Sequence, residues 1–482
     1  MSRRTKIVAT IGPASESPST LRALIDEGMD MARLSLAHGP LEESLERMAR
    51  IRTVAAESGR TVGILADLPG PKIRAAEFPE DGVHLDEGTR IELVPAGPDD
   101  TSTGARIAVD HPEVGDSLQE GDRVVLGDGA IELRVVQLQG ERATVEVITG
   151  GWVQGRPGVS IPSGRLALSS PTDDDLRLLA ALVDADVDAV ALSFVRSADD
   201  VLRARVALPS SGGPMLVAKI EMPEAVEAVD DIVAVADGVM VARGDLGIRC
   251  ALEDVPHFQK QVIKAGVAYG RPVITATQML ESMVRAPVPT RAEVTDVANA
   301  VFDGTSAVML SGESAVGRHP VAAVRTMARI ALRAEREFDY YGWGHALGQQ
   351  QTSEAHGAPP AQRITASLSA AAWRAARDSD AKAIIACTNT GTTPRAISRY
   401  RPTAPIIAAT PSLKVARQLS VAWGITPVVV ERRETTDDIV WFAVEAAVNA
   451  GVCKPGDVVA VVVGSPSEPD PSSDTLRLVR VR

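Results

Sequence analysis

Two short runs, Lys219-Ile220-Glu221 and Ala242-Arg243-Gly244-Asp245, each close an apolar stretch with the character of a buried strand. They bring two carboxylates and one ammonium to a common rim. Asp and Glu at strand ends offer the hard oxygen ligands that suit Mg²⁺ or Mn²⁺, and a neighbouring Lys stabilises negative charge developing on a substrate oxygen. The set suits an enolate or a phosphoryl group. An isolated Lys-x-Glu is more often a buried ion pair, so the reading depends on what the rest of the chain places around it.

The elements that must position these groups are legible as short Val/Ala/Ile/Leu runs alternating with amphipathic helical stretches, the pattern of parallel strands covered on both faces. Eight runs begin near Thr5, Met29, Thr61, Asp188, Met215, Gly238, Arg271 and Ser306, which predicts an α/β fold built on a (β/α)8 barrel. After the third run the pattern changes to alternating strands punctuated by Gly, Asp and Pro. This predicts an inserted all-β domain over residues 70–163, hinged at Gly70-Pro71 and Pro162-Ser163-Gly164. The barrel then takes residues 1–69 and 164–341, a polar Gly- and Gln-rich linker residues 342–360, and a second α/β block residues 361–482. Strands are expected in that block at Ala383–Ala386, Pro405–Ala408, Pro427–Val430 and Asp457–Val463.

A barrel's chemistry sits where its strands end, and here those ends are polar. They carry Pro13; Arg33 with His38; Asp67 with Arg74 beyond it; Ser193 and Arg196; Lys219 and Glu221; Asp245; Thr277; and Ser311 with Glu313. Packing alone does not explain such groups at nearly every strand end. Arg33 and Arg74 suit a phosphoryl group, Glu221 and Asp245 a divalent cation, and the Gly244 and Asp245 amides a carboxylate.

Composition narrows the partners. Of 482 residues, 63 are Asp or Glu and 50 Lys or Arg, and only 3% are aromatic, so neither a basic face nor stacking groups favour nucleic acid. Cys250, Cys387 and Cys453 are scattered without metal-ligand spacing, as expected for a reducing cytosol. The opening residues run into only a short apolar stretch broken by Gly12-Pro13, so neither a signal peptide nor a membrane span is expected there, and the chain reads as soluble and cytoplasmic.

With these residues in view, the sequence closely resembles the pyruvate kinase family over essentially its whole length. The motifs are Thr5-Lys6-Ile7-Val8 with Thr10-Ile11-Gly12-Pro13-Ala14, Gly70-Pro71-Lys72-Ile73-Arg74, Leu192-Ser193-Phe194-Val195-Arg196 and Met240 to Gly247. The most specific are Ala276-Thr277-Gln278-Met279-Leu280-Glu281-Ser282-Met283 and Pro289-Thr290-Arg291-Ala292-Glu293. The resemblance implies phosphoryl transfer from phosphoenolpyruvate to ADP, giving pyruvate and ATP, on a barrel with a mobile β lid and a C-terminal regulatory domain. It implies Mg²⁺ on Glu221 and Asp245, and phosphoryl neutralisation by Arg33, Arg74 and Lys219. It also implies enolate protonation near Thr277, with Ser311 and Glu313, and nucleotide contacts at Pro13, Arg33, His38 and Arg156. A homotetramer is implied too.

Departures from the family pattern are specific to this chain. The second strand reads Arg33-Leu34-Ser35-Leu36-Ala37-His38-Gly39 where the family usually has Arg-x-Asn-x-Ser-His-Gly, and Asp67 is followed by Leu68. Of four side chains that coordinate K⁺ in potassium-dependent members, Asp67 alone clearly survives. Lys72 replaces the Glu that marks those members, an internal cation in place of potassium, so activity without added K⁺ is expected. In the lid, Gly127-Asp128-Gly129 leaves one carboxylate where two are common, and Arg156-Pro157-Gly158 replaces a Lys-Lys-Gly stretch.

Thr388-Asn389-Thr390-Gly391-Thr392-Thr393 follows an apolar strand and resembles the family's effector loop for a sugar phosphate or nucleotide monophosphate. A Thr-rich helix cap explains it nearly as well. Its companion, Gly464 to Asp474, carries a Glu and two Asp that repel phosphate. Two other readings remain: a catalytically weakened regulatory paralogue, favoured by Ser35, Ala37, Gly127 and Pro157, and a metal-dependent aldolase or lyase, disfavoured by Arg33, Arg74 and the β insertion.

Overall fold

The computed structural model describes residues 3–127, 129, 131–161, 169–354, 360–464 and 473–482. Eight parallel strands form a closed barrel: Lys6–Thr10, Met31–Ser35, Gly63–Asp67, Ala189–Leu192, Met215–Ile220, Gly238–Ala242, Val273–Ala276 and Ala307–Leu310. The last closes on the first with Lys6 opposite Ala307. Each begins within two residues of its expected start.

Every strand is buried on both faces, and the period of two decides which face does what. Val8, Met31, Leu65, Val217, Met240, Ile274 and Met309 fill the barrel interior. Ile7, Ala9, Ile64, Ala66, Leu216 and Ala218, one position away, pack outward against the helices. Two residues beyond Val8, Met31, Leu65 and Val217 the same inward face reaches Thr10, Arg33, Asp67 and Lys219. The apolar plug thus ends and a charged layer begins within one step of each strand.

The inserted segment leaves the third strand at Gly70, which has φ +66°; a Cβ there would meet Phe194 and Ser193 at 2.8 Å. Only glycine turns this corner without displacing the barrel rim. Its amide donates to Asp175 Oδ1 (3.1 Å), whose other oxygen closes a capping box with Thr172. Beyond it a six-stranded sheet and a two-stranded ribbon enclose their own core, including Phe78, Leu93, Val124, Leu133 and Val145. A core separate from that of the barrel allows the domain to reorient as a unit. The expected return hinge, Pro162-Ser163-Gly164, lies outside the described residues.

The stretch expected as a linker is helical over Tyr340–Glu354, and residues 355–359 lie outside the described residues. Its polar composition conceals two anchors one turn apart. Leu347 is buried, and the Trp343 indole donates to the Arg399 carbonyl (2.8 Å). A second helix, Pro360–Asp378, follows. The C-terminal sheet contains the four expected strands, Ala383–Cys387, Ile406–Thr410, Ile425–Val429 and Val458–Gly464, all parallel. A fifth strand, Ser473–Arg480, was missed by a search for parallel apolar runs; it lies antiparallel at the edge, Val463 opposite Thr475, and alternates apolar with polar residues.

This sheet's domain docks on the amino-terminal end of the barrel. Val421 completes the apolar barrel interior, and Ser420 Oγ accepts from the Gly63 amide (3.2 Å). Asp188, fully buried, accepts from Arg417 Nε (2.7 Å), Arg52 Nη2 (2.7 Å) and the Ile64 amide (2.7 Å). Among the described residues no helix is long and apolar enough to cross a membrane. Removing the Asp188 carboxylate leaves Arg52 without a carboxylate partner among the described residues and Arg417 with Asp186 alone, so Asp188→Ala is expected to cost about 3 kcal/mol of stability, read as a lower urea midpoint. An unchanged midpoint refutes the tie.

Candidate active site

The charged layer at the carboxyl ends of the strands is centred on Asp67. Its Oδ2 accepts from Arg33 Nε (2.8 Å) and Nη2 (2.7 Å), and its Oδ1 lies 3.1 Å from Lys219 Nζ. Lys219 Nζ also donates to Ser193 Oγ (2.7 Å) and stands 2.8 Å from Glu221 Oε1. Arg33 Nη1 reaches Thr10 Oγ1 (3.0 Å). Burial disfavours the ionised form of Asp67, but Lys219 and Arg33 outweigh it and hold the carboxyl below its ordinary value. Burial likewise opposes the Lys219 charge; Asp67, Glu221 and Asp245 override it, so the ammonium persists well into the alkaline range.

Glu221 is different. Burial raises its carboxyl, Lys219 offsets part of this, and Asp245 and Asp67 raise it further. Arg33 and Lys219 are both drawn to Asp67, so Glu221 shares Lys219 with it, and Asp245 has only the more distant Arg249. Glu221 Oε2 accepts from the Phe194 amide (2.8 Å), while Oε1 is buried and receives no aligned hydrogen bond. The Asp245 carboxylate is about one-third exposed and 3.9 Å from Arg249. An under-bonded buried oxygen beside a second carboxylate fits a hard divalent cation completed by substrate and water.

Thr277 is placed by strain and bracing. It sits at φ +68° and Gln278 at +53°, conformations that a β-branched residue rarely adopts. Arg243 fixes the turn by donating to the Thr277 carbonyl (2.7 Å) and pairing with Asp296 (2.7 Å). Glu313 accepts from the Leu280 and Ser311 amides (3.0 and 2.7 Å), and Glu293, in a capping box with Thr290, accepts from the Ser282 amide (2.7 Å). The Thr277 hydroxyl accepts from the Gly244 amide (2.7 Å) and donates to the Ala276 carbonyl (2.6 Å). The Gly244 amide, read from sequence as a carboxylate donor, is therefore already engaged. Ser311 Oγ is buried without a partner among the described residues.

A cleft of about 60 Å³ separates this rim from the β domain, lined by Lys72, Gly127 and Gly158 on one side and by Phe194, Asp245 and Arg249 on the other. Lys72 is exposed, its stem crossing Gly158 so closely that a Cβ there would lie 3.1 Å from Lys72 Cε. Arg74 donates weakly to the Arg156 carbonyl (3.4 Å), and Arg156 faces Asp110 at 3.8 Å. Pro13 and His38 are exposed on the rim. What burial His38 has lowers its basicity, and Arg74, Lys72 and Arg33 lower it further, so the four cluster electrostatically. Arg249 was not singled out from sequence, although its spacing four residues after Asp245 on the helix Arg243–Arg249 is legible there. Asp128 lies outside the described residues.

Away from the rim, the Thr388–Thr393 loop is bonded to itself. Thr388 Oγ1 accepts from the Gly391 amide (2.9 Å), Thr390 and Thr392 hydroxyls are 3.0 Å apart, and Thr393 meets Ser473 (2.5 Å). Most of its companion loop, residues 465–472, lies outside the described residues.

A lysine and two arginines set among carboxylates on a barrel rim, facing a β domain, are what an enzyme handling phosphorylated anions requires, and relatives agree. Residues 2–324 match the family described as "Pyruvate kinase, barrel domain" and residues 366–479 that described as "Pyruvate kinase, alpha/beta domain". A protein named pyruvate kinase from Geobacillus stearothermophilus is 42% identical over 97% of this chain and 78% of its own length. Those from Clostridium acetobutylicum and Methylorubrum extorquens are 37% and 40% identical, covering 99% and 96% of this chain and 99% and 95% of their own. The chain is a phosphotransferase of the barrel class. It belongs to the pyruvate kinase family.

The arginines' field on His38 is testable. An anion seated on Arg33 and Arg74 neutralises the charges that depress its basicity, so adding the phosphorylated substrate must raise the His38 pKa, followed by imidazole NMR shifts. A fall or no change places the anion elsewhere.

Proposed function

We propose that the chain transfers the phosphoryl group of phosphoenolpyruvate to ADP, giving pyruvate and ATP, and that it does so without added potassium. The observation that carries the reading is Lys219, buried, protonated and held between Asp67, Ser193 and Glu221 beside Arg33. Arg33 and Arg74 bind the phosphoryl group. Lys219 neutralises charge on that group during transfer and on the enolate oxygen left behind, already oriented before substrate arrives. Glu221 and Asp245 would hold Mg²⁺ or Mn²⁺, which when bound polarises the substrate's carboxylate and phosphoryl oxygens.

Thr277 and Ser311 are the hydroxyls available for proton movement to the enolate carbon. Glu313, with both oxygens on backbone amides, positions them. The β domain, closing on the cleft, excludes water that competes for the phosphoryl group. Pro13, His38 and Arg156 border the nucleotide. The Thr388–Thr393 loop is the effector site, and the enzyme works as a cytoplasmic homotetramer.

Potassium independence rests on charge at one edge of the site. Ser35, Ala37 and Leu68 offer few oxygens to a monovalent cation, and the Asp67 carboxylate is already neutralised by Arg33 and Lys219. Lys72 adds a permanent positive charge at the cleft, near enough to act on His38 together with Arg33 and Arg74.

Pyruvate formation with Mg²⁺ is therefore expected to be the same in potassium-free buffer and after adding KCl, and to vanish in Glu221→Ala. A requirement for KCl refutes the role given to Lys72; no turnover in either buffer refutes the activity and favours a regulatory paralogue. Lys219→Ala is expected to lower kcat by about 10²–10³-fold, the cost of losing one preorganised charge donor. A loss below tenfold, measured by steady-state kinetics, rejects that role.

A further inference from the structure

Four arginines converge where the barrel meets the C-terminal domain. Arg271 precedes the seventh barrel strand; Arg395 lies on the short helix Thr392–Ser398, and Arg399 and Arg401 follow it. They line one small cavity, closed on another side by Trp423. Arg401 is 2% exposed. Its Nη2 donates to the Gly304 and Thr305 carbonyls, but Nε and Nη1 are buried with no hydrogen-bond partner among the described residues. Arg271 donates to the Ala234 carbonyl (3.3 Å), and Arg399 to the Ala268 carbonyl (3.0 Å) with a further side-chain hydrogen bond to Tyr400; among the described residues each leaves Nε buried and unpartnered. Among the described residues Arg395 makes only long hydrogen bonds, 3.8 Å to Met215 Sδ and 3.5 Å to the Thr390 carbonyl.

No carboxylate balances them: among the described residues none of the four forms an ion pair with Asp or Glu. The nearest acids are committed elsewhere. Asp237 pairs with Arg205 (2.8 Å) and accepts from the Leu216 amide (3.0 Å), and Glu335 accepts from the Arg4 amide (3.0 Å). Burial, offset only in part by Asp237 at Arg271 and Arg395, by Tyr400 at Arg399 and by Glu335 at Arg401, pulls all four guanidiniums down, Arg395 to about 10 and Arg401 to about 9. One buried and three half-buried guanidiniums, three of them with an unmet N–H donor among the described residues, carry a substantial cost in free energy. Water can satisfy the donors but not the charge.

We propose that this cleft is an anion-binding site that ties the barrel to the C-terminal domain. The cavity holds about 20 Å³, room for one water-sized body. A chloride ion enters without rearrangement, and an inorganic oxyanion enters if the loosely held Arg395 swings outward. The bound anion accepts from guanidiniums on both domains and so favours their docked arrangement. The site differs from the phosphoryl-binding rim, which lies at the opposite end of the barrel strands, and does not depend on the reaction assigned there.

The test uses the full chain at constant ionic strength, exchanging gluconate for chloride or for inorganic phosphate and following the thermal midpoint. A saturable rise is expected, and Arg395→Gln and Arg399→Gln, both only half-buried and outside the catalytic rim, should each weaken the apparent affinity about tenfold, the loss of one charge-assisted hydrogen bond. Saturation by chloride identifies the occupant as a monatomic anion; saturation by phosphate alone identifies an oxyanion, and both support the site. An identical response to all three salts, or a saturable rise that both variants retain unchanged, overturns the proposal and leaves the cleft to water.

Discussion

The rim depends on one buried carboxylate gripping two cations. Asp67 uses one oxygen for Arg33 and the other for Lys219, so a single side chain fixes the spacing of the two positive groups on the rim. A buried lysine or arginine without such a partner would lose its charge or its geometry. Asp67 belongs to the inward face of its strand, which makes barrel register and active-site geometry the same constraint. A slip of one residue would turn Asp67 outward and bring Ala66 or Leu68 into the charged layer.

Opposite this charge cluster, the Thr277 side is built from backbone. Its left-handed turn persists because Arg243, Glu293 and Glu313 each bind main-chain groups of the same loop. The two sides divide the labour: one supplies charge held by charge, the other a hydroxyl held by strain. Only the first tolerates no water, since water would screen the field that Lys219 projects.

Much of this was readable from sequence because the signals are local. Doubly buried strands announce themselves as apolar runs, and the polar residues that close those runs mark the rim, which is how Arg33, Asp67 and Lys219 could be named; that they share one inward face is seen only in the folded barrel. The polar helix Tyr340–Glu354 was hidden because two anchors, Trp343 and Leu347, do the work that an apolar stripe usually does. The edge strand Ser473–Arg480 alternates instead of running apolar. The engagement of the Gly244 amide by Thr277 could not be foreseen, since it depends on a turn whose dihedral angles no composition encodes. Nor could the arginine cluster at the domain junction: its members are spread over residues 271–401 and meet only in the folded chain.

Val421 gives the molecule a further property. The barrel interior is finished by a side chain that belongs to another domain and stands more than a hundred residues after the last barrel strand. During synthesis the eight strands therefore emerge, and can pair, before the residue that seals their lower end exists. The nascent barrel stays open at its base until about half of the C-terminal domain has been made, so the last step in packing the barrel waits on a segment from the other domain.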